Sequence, residues 1–184
     1  MNIVITGASK GLGKAIALVY ANEGNVLLLC SRDFSQLSFA AKTIKDLQLA
    51  CHVHIFAADL SVKEGAEEFA EWCLTFGKID ILVNNAGQYF PGSIIEEQEG
   101  NLEKLMQVNV YSAYYLTRKL VPRMISAKSG HIFNMCSVAS IKAFPNGGSY
   151  CISKFALLGF SKSLREELRQ DNIKVTSILP GFIL

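Results

Sequence analysis

Tyr150 and Lys154 stand four positions apart in SYCISKFALLGFSKSLREEL, residues 149–168, where apolar residues recur at helical spacing. On a helix that spacing puts both side chains on one face, about 6 Å apart along the axis. A phenol with an ordinary pKa of about 10 exchanges protons poorly at neutral pH, but a neighbouring ammonium favours its phenolate and eases proton exchange with an alcohol or carbonyl oxygen. Ser137 follows the β-rich run GHIFNMC, and its hydroxyl at the same rim could hydrogen-bond a carbonyl oxygen on which negative charge develops. A tyrosine and a lysine at this spacing are also commonplace on packing helices, so the pair points to chemistry only through what converges on it. Asn109, in LMQVNVYSAYYLTRKL, is a polar residue among apolar neighbours. It is a buried amide satisfied by backbone or by water, and a water linked to Lys154 would be its functional form.

A second group of residues suits a dinucleotide. Thr6-Gly7-Ala8-Ser9-Lys10-Gly11-Leu12-Gly13 follows an apolar run and opens a helical one. Gly7 permits a tight turn, Gly11 and Gly13 permit close approach of a diphosphate and of neighbouring backbone, and a helix N-terminus offers free N–H donors. The loop lacks the GK[ST] ending of a nucleoside-triphosphate loop, and its Gly7–Gly11 gap departs from ordinary GxGxxG spacing, so by itself it could be a glycine-rich turn. Arg32 and Asp33 close the next apolar run. Arg32, with Lys10 beside it, could meet a 2′-phosphate, which favours NADP(H) over NAD(H); Arg32 could equally be a solvated arginine and Asp33 a helix cap. Asp59, ahead of Leu60, either caps the next helix or accepts from an adenine amino group. In Asn84-Asn85-Ala86-Gly87 the amides can bond neighbouring backbone and the small residues admit a flat ring or ribose, although a simple turn would look the same. Pro180-Gly181 bends the chain and could approach the nicotinamide from its other side.

These residues must be placed by the elements between them. Short β-branched runs alternate with longer helical-period stretches, which predicts strands at 2–6, 25–31, 51–57, 79–84, 130–136 and 174–179 and helices near 12–22, 34–48, 62–76, 102–127 and 150–170. Most of the strand runs (IVIT, VLLLC, ILVNN) are apolar on both faces, which predicts a doubly wound, Rossmann-like α/β domain: a parallel sheet with helices on both faces. Such a sheet binds ligands beyond the carboxyl ends of its strands, and the polar and glycine-rich residues are concentrated there.

The totals narrow the class. The 184 residues suit a single domain over 1–184, without repeats or a composition break. A net charge of +2 from 18 basic and 16 acidic residues gives no basic stripe for nucleic acid. Five cysteines without a CxxC pair suggest a reducing compartment, and no run of the roughly 20 apolar residues needed for a membrane span is present. A cytoplasmic protein is expected, with no metal and no membrane partner. Cys136 and Cys151 flank Ser137 and Tyr150, but His52, His54 and His131 begin strands and belong at the opposite edge, so no base accompanies either thiol.

In order along the chain, TGASKGLG at 6–13, NNAG at 84–87, Asn109, Ser137, Tyr150-x-x-x-Lys154 and Pro180-Gly181 resemble the motifs of the classical short-chain dehydrogenases/reductases. The resemblance covers essentially the whole chain, and the motifs taken together are highly specific. It implies about seven parallel strands, hydride transfer between NADPH and a carbonyl or secondary alcohol, and four catalytic residues. Tyr150 would be the general acid for reduction, Ser137 the stabiliser of the carbonyl oxygen, Lys154 the partner of the nicotinamide ribose that lowers the tyrosine pKa, and Asn109 the holder of a relay water. The cofactor contacts it implies fall on Gly7, Ser9, Lys10, Gly11, Leu12, Gly13, Arg32, Asp59, Leu60, Asn85, Ala86, Gly87, Tyr150, Lys154, Pro180 and Gly181. Family members commonly assemble as homodimers or homotetramers through the helices at 102–127 and 150–170, where Tyr111, Tyr114, Tyr115, Leu157 and Phe160 could supply the surface.

Gln88, Tyr89, Phe90 and Pro91, with Ile141, Ala143, Phe144 and Pro145, suggest a partly apolar wall near the reacting carbonyl, or simply two packed loops. An apolar or aromatic ketone, a pteridine side-chain ketone and a 3-oxoacyl thioester all fit. The chain stops at GFIL after the sixth expected strand, where the family continues through a substrate-covering segment and a last strand. Six strands of seven are therefore expected, with material normally following Leu184. A nucleotide-binding regulatory or structural protein without significant turnover is the alternative function.

Overall fold

The computed structural model describes residues 1–47 and 50–181. Six strands, β1 (Asn2–Thr6), β2 (Val26–Ser31), β3 (His52–Ala57), β4 (Ile81–Asn84), β5 (Gly130–Met135) and β6 (Ile173–Ile178), pair in parallel in the order β3-β2-β1-β4-β5-β6. Six helices cover them: α1 (Gly11–Tyr20), α2 (Phe34–Leu47), α3 (Lys63–Leu74), α4 (Asn101–Met106), α5 (Ser112–Ser126) and α6 (Gly148–Glu167). The doubly wound α/β expectation holds. The last residue of the expected helix 34–48 and the apolar ending Phe182 to Leu184 lie outside the described residues.

Alternation along the central strands explains why both faces needed apolar residues. Ile3, Ile5, Leu27, Leu29 and Val83 pack with Ala17 of α1 and Leu37 and Ile44 of α2. Val4, Leu28, Leu82 and Ile132 face the other way, against Phe69 of α3, Leu116 and Leu120 of α5 and Leu164 of α6. Each fully buried Val, Leu or Ile contributes about 1.5–3 kcal/mol of transfer free energy. On the edge strand β3 the alternate residues His52 and His54 are exposed.

The winding reverses between β1 and β4, so the crossovers diverge there and leave a crevice at their carboxyl ends. Asn85 closes its floor, donating from Nδ2 to Thr6 O at 2.8 Å and Gly7 O at 3.1 Å. Thr6 Oγ1 accepts from the backbone N–H groups of Asn85 at 2.9 Å and Ala86 at 2.8 Å. These bonds join the glycine loop to the NNAG turn.

The single helix expected at 102–127 is interrupted. Gln107–Tyr111, between α4 and α5, is π-helical, and Asn109 lies in its middle with 1% of its surface exposed. A π turn inserts one residue into the winding and so rotates the side chains that follow. The compensating bonds are polar: Asn109 Oδ1 accepts from Gln88 N at 2.7 Å, and Asn109 Nδ2 donates to Gln88 O at 3.0 Å and Ser153 Oγ at 2.9 Å.

Candidate active site

A cleft with two lobes runs along the carboxyl edge of the sheet. The first lobe, about 330 Å³, lies over β1, β2 and β3 and is lined by Gly7, Ser9, Lys10, Arg32, Asp59, Leu60, Asn85, Ala86 and Gly87, among others. The second, about 380 Å³, lies over β4, β5 and β6 and is lined by Leu12, Ser137, Tyr150, Lys154, Pro180 and Gly181, with Tyr89, Val138 and Phe144. Asn85, Gly87 and Gln88 border both. An elongated ligand with an anionic middle fits this shape, because α1 begins between the lobes with no side-chain cap on its first-turn N–H groups.

Nearly every residue expected to touch a cofactor lines one lobe or the other. Gly11 and Gly13 line neither. Gly11, at φ +55°, faces open space and supplies the left-handed turn into α1. Gly13 lies behind the loop, where a Cβ would stand 2.6 Å from Asn85 Nδ2 and inside contact with Gly7 O. Its job is to let α1 approach the NNAG turn.

The open question at Asp33 closes in favour of the cap. Asp33 Oδ1 accepts from Gln36 N at 2.9 Å, at the start of α2, and Oδ2 from Gln36 Nε2 at 2.9 Å. Both side chains border the lobe, with Asp33 committed to the cap and Arg32 supplying the positive charge. With the Gln88 amide turned so that its oxygen faces Arg32, the guanidinium nitrogens donate to Gln88 Oε1 at 3.1 and 2.5 Å across the mouth. Asp59 Oδ1 is held by Ser61 N at 3.0 Å and Ser61 Oγ at 2.7 Å, so it fastens its own turn while still bordering the lobe.

In the second lobe Ser137, from the loop after β5, meets Tyr150 and Lys154, both from α6. Ser137, 8% exposed, follows β5; its Oγ accepts from Ala139 N at 3.1 Å, which leaves the hydroxyl proton free to donate. Lys154, 7% exposed, donates to Met135 O at 2.8 Å and holds Nζ 5.8 Å from the centre of the Tyr150 ring. Pro180 O accepts from Val138 N at 3.1 Å, which ties the chain after β6 to the Ser137 loop. A Cβ on Gly87 would meet Asn109 Oδ1 at 3.0 Å and Lys154 Nζ at 3.7 Å, so this glycine keeps a small space open between the two polar groups.

Electrostatics favour a protonated phenol. Burial pushes the Tyr150 pKa above its ordinary value; the Ser137 hydroxyl opposes this, and Cys151 and Tyr89 add to it. Lys154 is not among the groups that shift the phenol, and the resultant is set by desolvation. Burial also pulls the Lys154 ammonium down to about 8, with Cys136 acting weakly against it. The Cys136 thiol is pushed up by burial, away from thiolate chemistry.

The substrate wall is narrower than expected. Gln88, Tyr89 and Phe144 line the second lobe, and Tyr89 packs edge-on against Tyr150 with ring centres 4.8 Å apart. Phe90 and Pro91 face a neighbouring depression instead, while Ile141, Ala143 and Pro145 are exposed outside the lobe. Of the helix residues expected at a subunit surface, Tyr111 and Tyr114 are exposed, Tyr115 and Phe160 are half-buried, and Leu157 is buried at 2% in the core. Thr6 and Ser153, which fasten Asn85 and Asn109, were not expected as site residues; a threonine preceding the glycine loop was the available signal. Among the described residues, no group of three or more His, Cys, Asp or Glu side chains could hold a metal ion, and no helix is long and apolar enough to cross a membrane.

Known proteins share this arrangement. The family model described as short chain dehydrogenase matches residues 1–184. An uncharacterised oxidoreductase of Staphylococcus saprophyticus is 36% identical over 181 residues, which is 98% of this chain and 77% of that protein. L-sorbose reductase from Gluconobacter frateurii, solved with NADPH and L-sorbose, superposes with a TM-score of 0.94 at 36% identity, covering 100% of this chain and 70% of its own. A metagenomic short-chain oxidoreductase solved with NADP gives 0.90 at 35% identity, covering 99% of this chain and 82% of its own. Matched from its first residue to its last, and carrying the motif residues on the expected sheet edge, this chain belongs to the short chain dehydrogenase family.

Proposed function

We propose that the protein is an NADP(H)-dependent oxidoreductase that reduces the carbonyl of a small, uncharged, partly apolar substrate. The observation that carries this reading is the meeting of Ser137, Tyr150 and Lys154 in one lobe of a cleft whose other lobe presents Arg32 and Lys10. When bound, the nicotinamide supplies the hydride. Tyr150 holds its proton at Oη, as burial favours, and gives it to the substrate oxygen. Ser137 donates its free hydroxyl proton to the same oxygen as charge develops there. Lys154, with one N–H on Met135 O, has two left for ribose hydroxyls. Asn109 fixes the backbone of Gln88 and borders the space above Gly87 in which a relay water fits.

NADPH is favoured over NADH because Asp33 is occupied as a helix cap and Arg32 borders the same lobe, where its guanidinium can exchange Gln88 for a 2′-phosphate. The NADPH and NADP bound by the two solved relatives support this choice. Tyr89, Val138 and Phe144 surround the reacting position with apolar surface, which favours an uncharged carbonyl. Exposed Tyr111, Tyr114, Ile152 and Phe155 on neighbouring helical segments support a homo-oligomer, and five unpaired, buried cysteines suit a reducing, cytoplasmic setting.

The test is NADPH oxidation over a panel of ketones and aldehydes, with Tyr150→Phe beside the wild type. Wild-type turnover is expected, and Tyr150→Phe should lose about a thousandfold in kcat at unchanged NADPH affinity. Unchanged turnover in Tyr150→Phe would refute the acid assignment. A wild type that binds NADPH without turnover on any carbonyl would favour the binding-only alternative.

A further inference from the structure

α6 carries Tyr150 in its first turn but has no cap of its own: Gly147 precedes it, and no side chain from its own end bonds the first N–H groups. The missing acceptor arrives from far away in sequence. Glu97 lies in the segment between β4 and α4, where its backbone N–H donates to Ser93 O at 2.8 Å. Its Oε2 accepts from Ser149 N at 3.4 Å and its Oε1 from Ser149 Oγ. Ser149 is 1% exposed and directly precedes Tyr150.

Two glycines make this approach possible. Gly148, at φ +25°, would carry a Cβ 2.5 Å from Gly92 O and 3.1 Å from Glu97 Oε2. A Cβ on Gly92 would stand 3.0 Å from Glu97 Cβ. Gly92 N also donates to Asn146 O at 3.0 Å, so the 92–97 segment grips the turn before α6 at two points. That turn includes Phe144, which lines the substrate lobe.

We propose that Glu97 is a positioning residue for the reaction: by capping α6 through Ser149 it fixes the first helical turn and hence the Tyr150 hydroxyl, without touching substrate or cofactor. A negative carboxylate at a helix N-terminus is favourable on its own account. A frayed first turn would displace the phenol, and misplacement of a reacting group by about 1 Å costs up to about a hundredfold in rate. The pair is sited where a small displacement acts directly on the chemistry.

The inference rests on Tyr150 as proton donor, which the Tyr150→Phe comparison checks separately. On a carbonyl that the wild type reduces, kcat, KM, NADPH affinity and thermal unfolding are measured for Glu97→Ala, Ser149→Ala, their double variant and Glu97→Gln. Both alanine singles should lower kcat about tenfold with NADPH affinity unchanged. The double variant should be no slower than the slower single, because the two residues act as one unit. Glu97→Gln should keep most of the activity, since its amide oxygen still accepts from Ser149 Oγ. A lowered melting temperature with kcat of the folded enzyme unchanged would reduce Glu97 to a structural cap and overturn the proposal, as would losses that multiply in the double variant. A wild type inactive on every carbonyl would instead overturn the proton-donor reading.

Discussion

The two lobes of the cleft are made by different means. Over β1, β2 and β3 the first lobe is built on its backbone: Gly7 turns at φ +63°, Thr6 and Asn85 lock the loops together, and Gly13 exists to be small. The second lobe is made of side chains brought from α6 and the loops after β4, β5 and β6, with Ser137 bonded to Ala139 N and Lys154 to Met135 O. A backbone lobe fails when atoms are added, because its ligand groups cannot move without moving the chain. A side-chain lobe fails when functional groups are removed, while the fold around it stays intact.

The sharpest test of that difference is Gly13→Ala. The new methyl would stand 2.6 Å from Asn85 Nδ2 and drive it off Thr6 O and Gly7 O, which it now bonds at 2.8 and 3.1 Å. Overpacking costs about 1–3 kcal/mol and each lost hydrogen bond about 1 kcal/mol. Stability and cofactor binding should therefore fall together, with NADPH affinity reduced about a hundredfold or more. Thermal unfolding and NADPH fluorescence titration on the same samples would show it. Weakened binding at an unchanged melting temperature would break the comparison, because the first lobe would then respond like the second.

A smaller effect is expected at Arg32, the side chain that gives the backbone lobe its selectivity. Charge-assisted hydrogen bonds contribute about 1.5–3 kcal/mol, so Arg32→Ala should weaken NADPH binding about thirtyfold and leave NADH binding nearly unchanged. Arg32 can also donate to Gln88 Oε1 once that amide is turned toward it, and releasing this contact offsets part of what the 2′-phosphate gains. Competition between the two cofactors gives the measurement. Equal losses for NADPH and NADH would mean that Arg32 shapes the lobe rather than reading the phosphate.

The same contrast governs what the sequence makes legible. Glycine, β-branched runs and NNAG are local, and local residues dictate backbone, so the parallel sheet and the first lobe can be placed from the chain alone. Tyr150 and Lys154 are visible because one helix carries both. Glu97 is not, because its partner Ser149 lies 52 positions away and only tertiary packing brings them together. The π turn at Gln107–Tyr111 is hidden for a related reason: its apolar periodicity resembles that of an ordinary helix, and the Asn109–Gln88 bonds that accompany the extra winding reach across the fold. Desolvation of Tyr150, the largest influence on the phenol, is likewise invisible along the chain.

That desolvation leaves the smallest and most specific mark on Lys154. Burial lowers its pKa from 10.5 to about 8, so in the cofactor-free protein it is an ammonium below about pH 8 and an amine above. If its N–H groups bind ribose hydroxyls, the charged form binds better, and replacing charge-assisted bonds by neutral ones costs about 1 kcal/mol. NADPH affinity should then be full below about pH 8 and fall about fivefold as pH rises through that value. The backbone donors of the first lobe do not titrate and contribute no such step. Fluorescence titration from pH 6.5 to 9.5 should show the step in the wild type and lose it in Lys154→Met, whose affinity should be low and flat throughout. A step that survives in Lys154→Met would belong to another group, and the side-chain lobe would lose its claim on the cofactor.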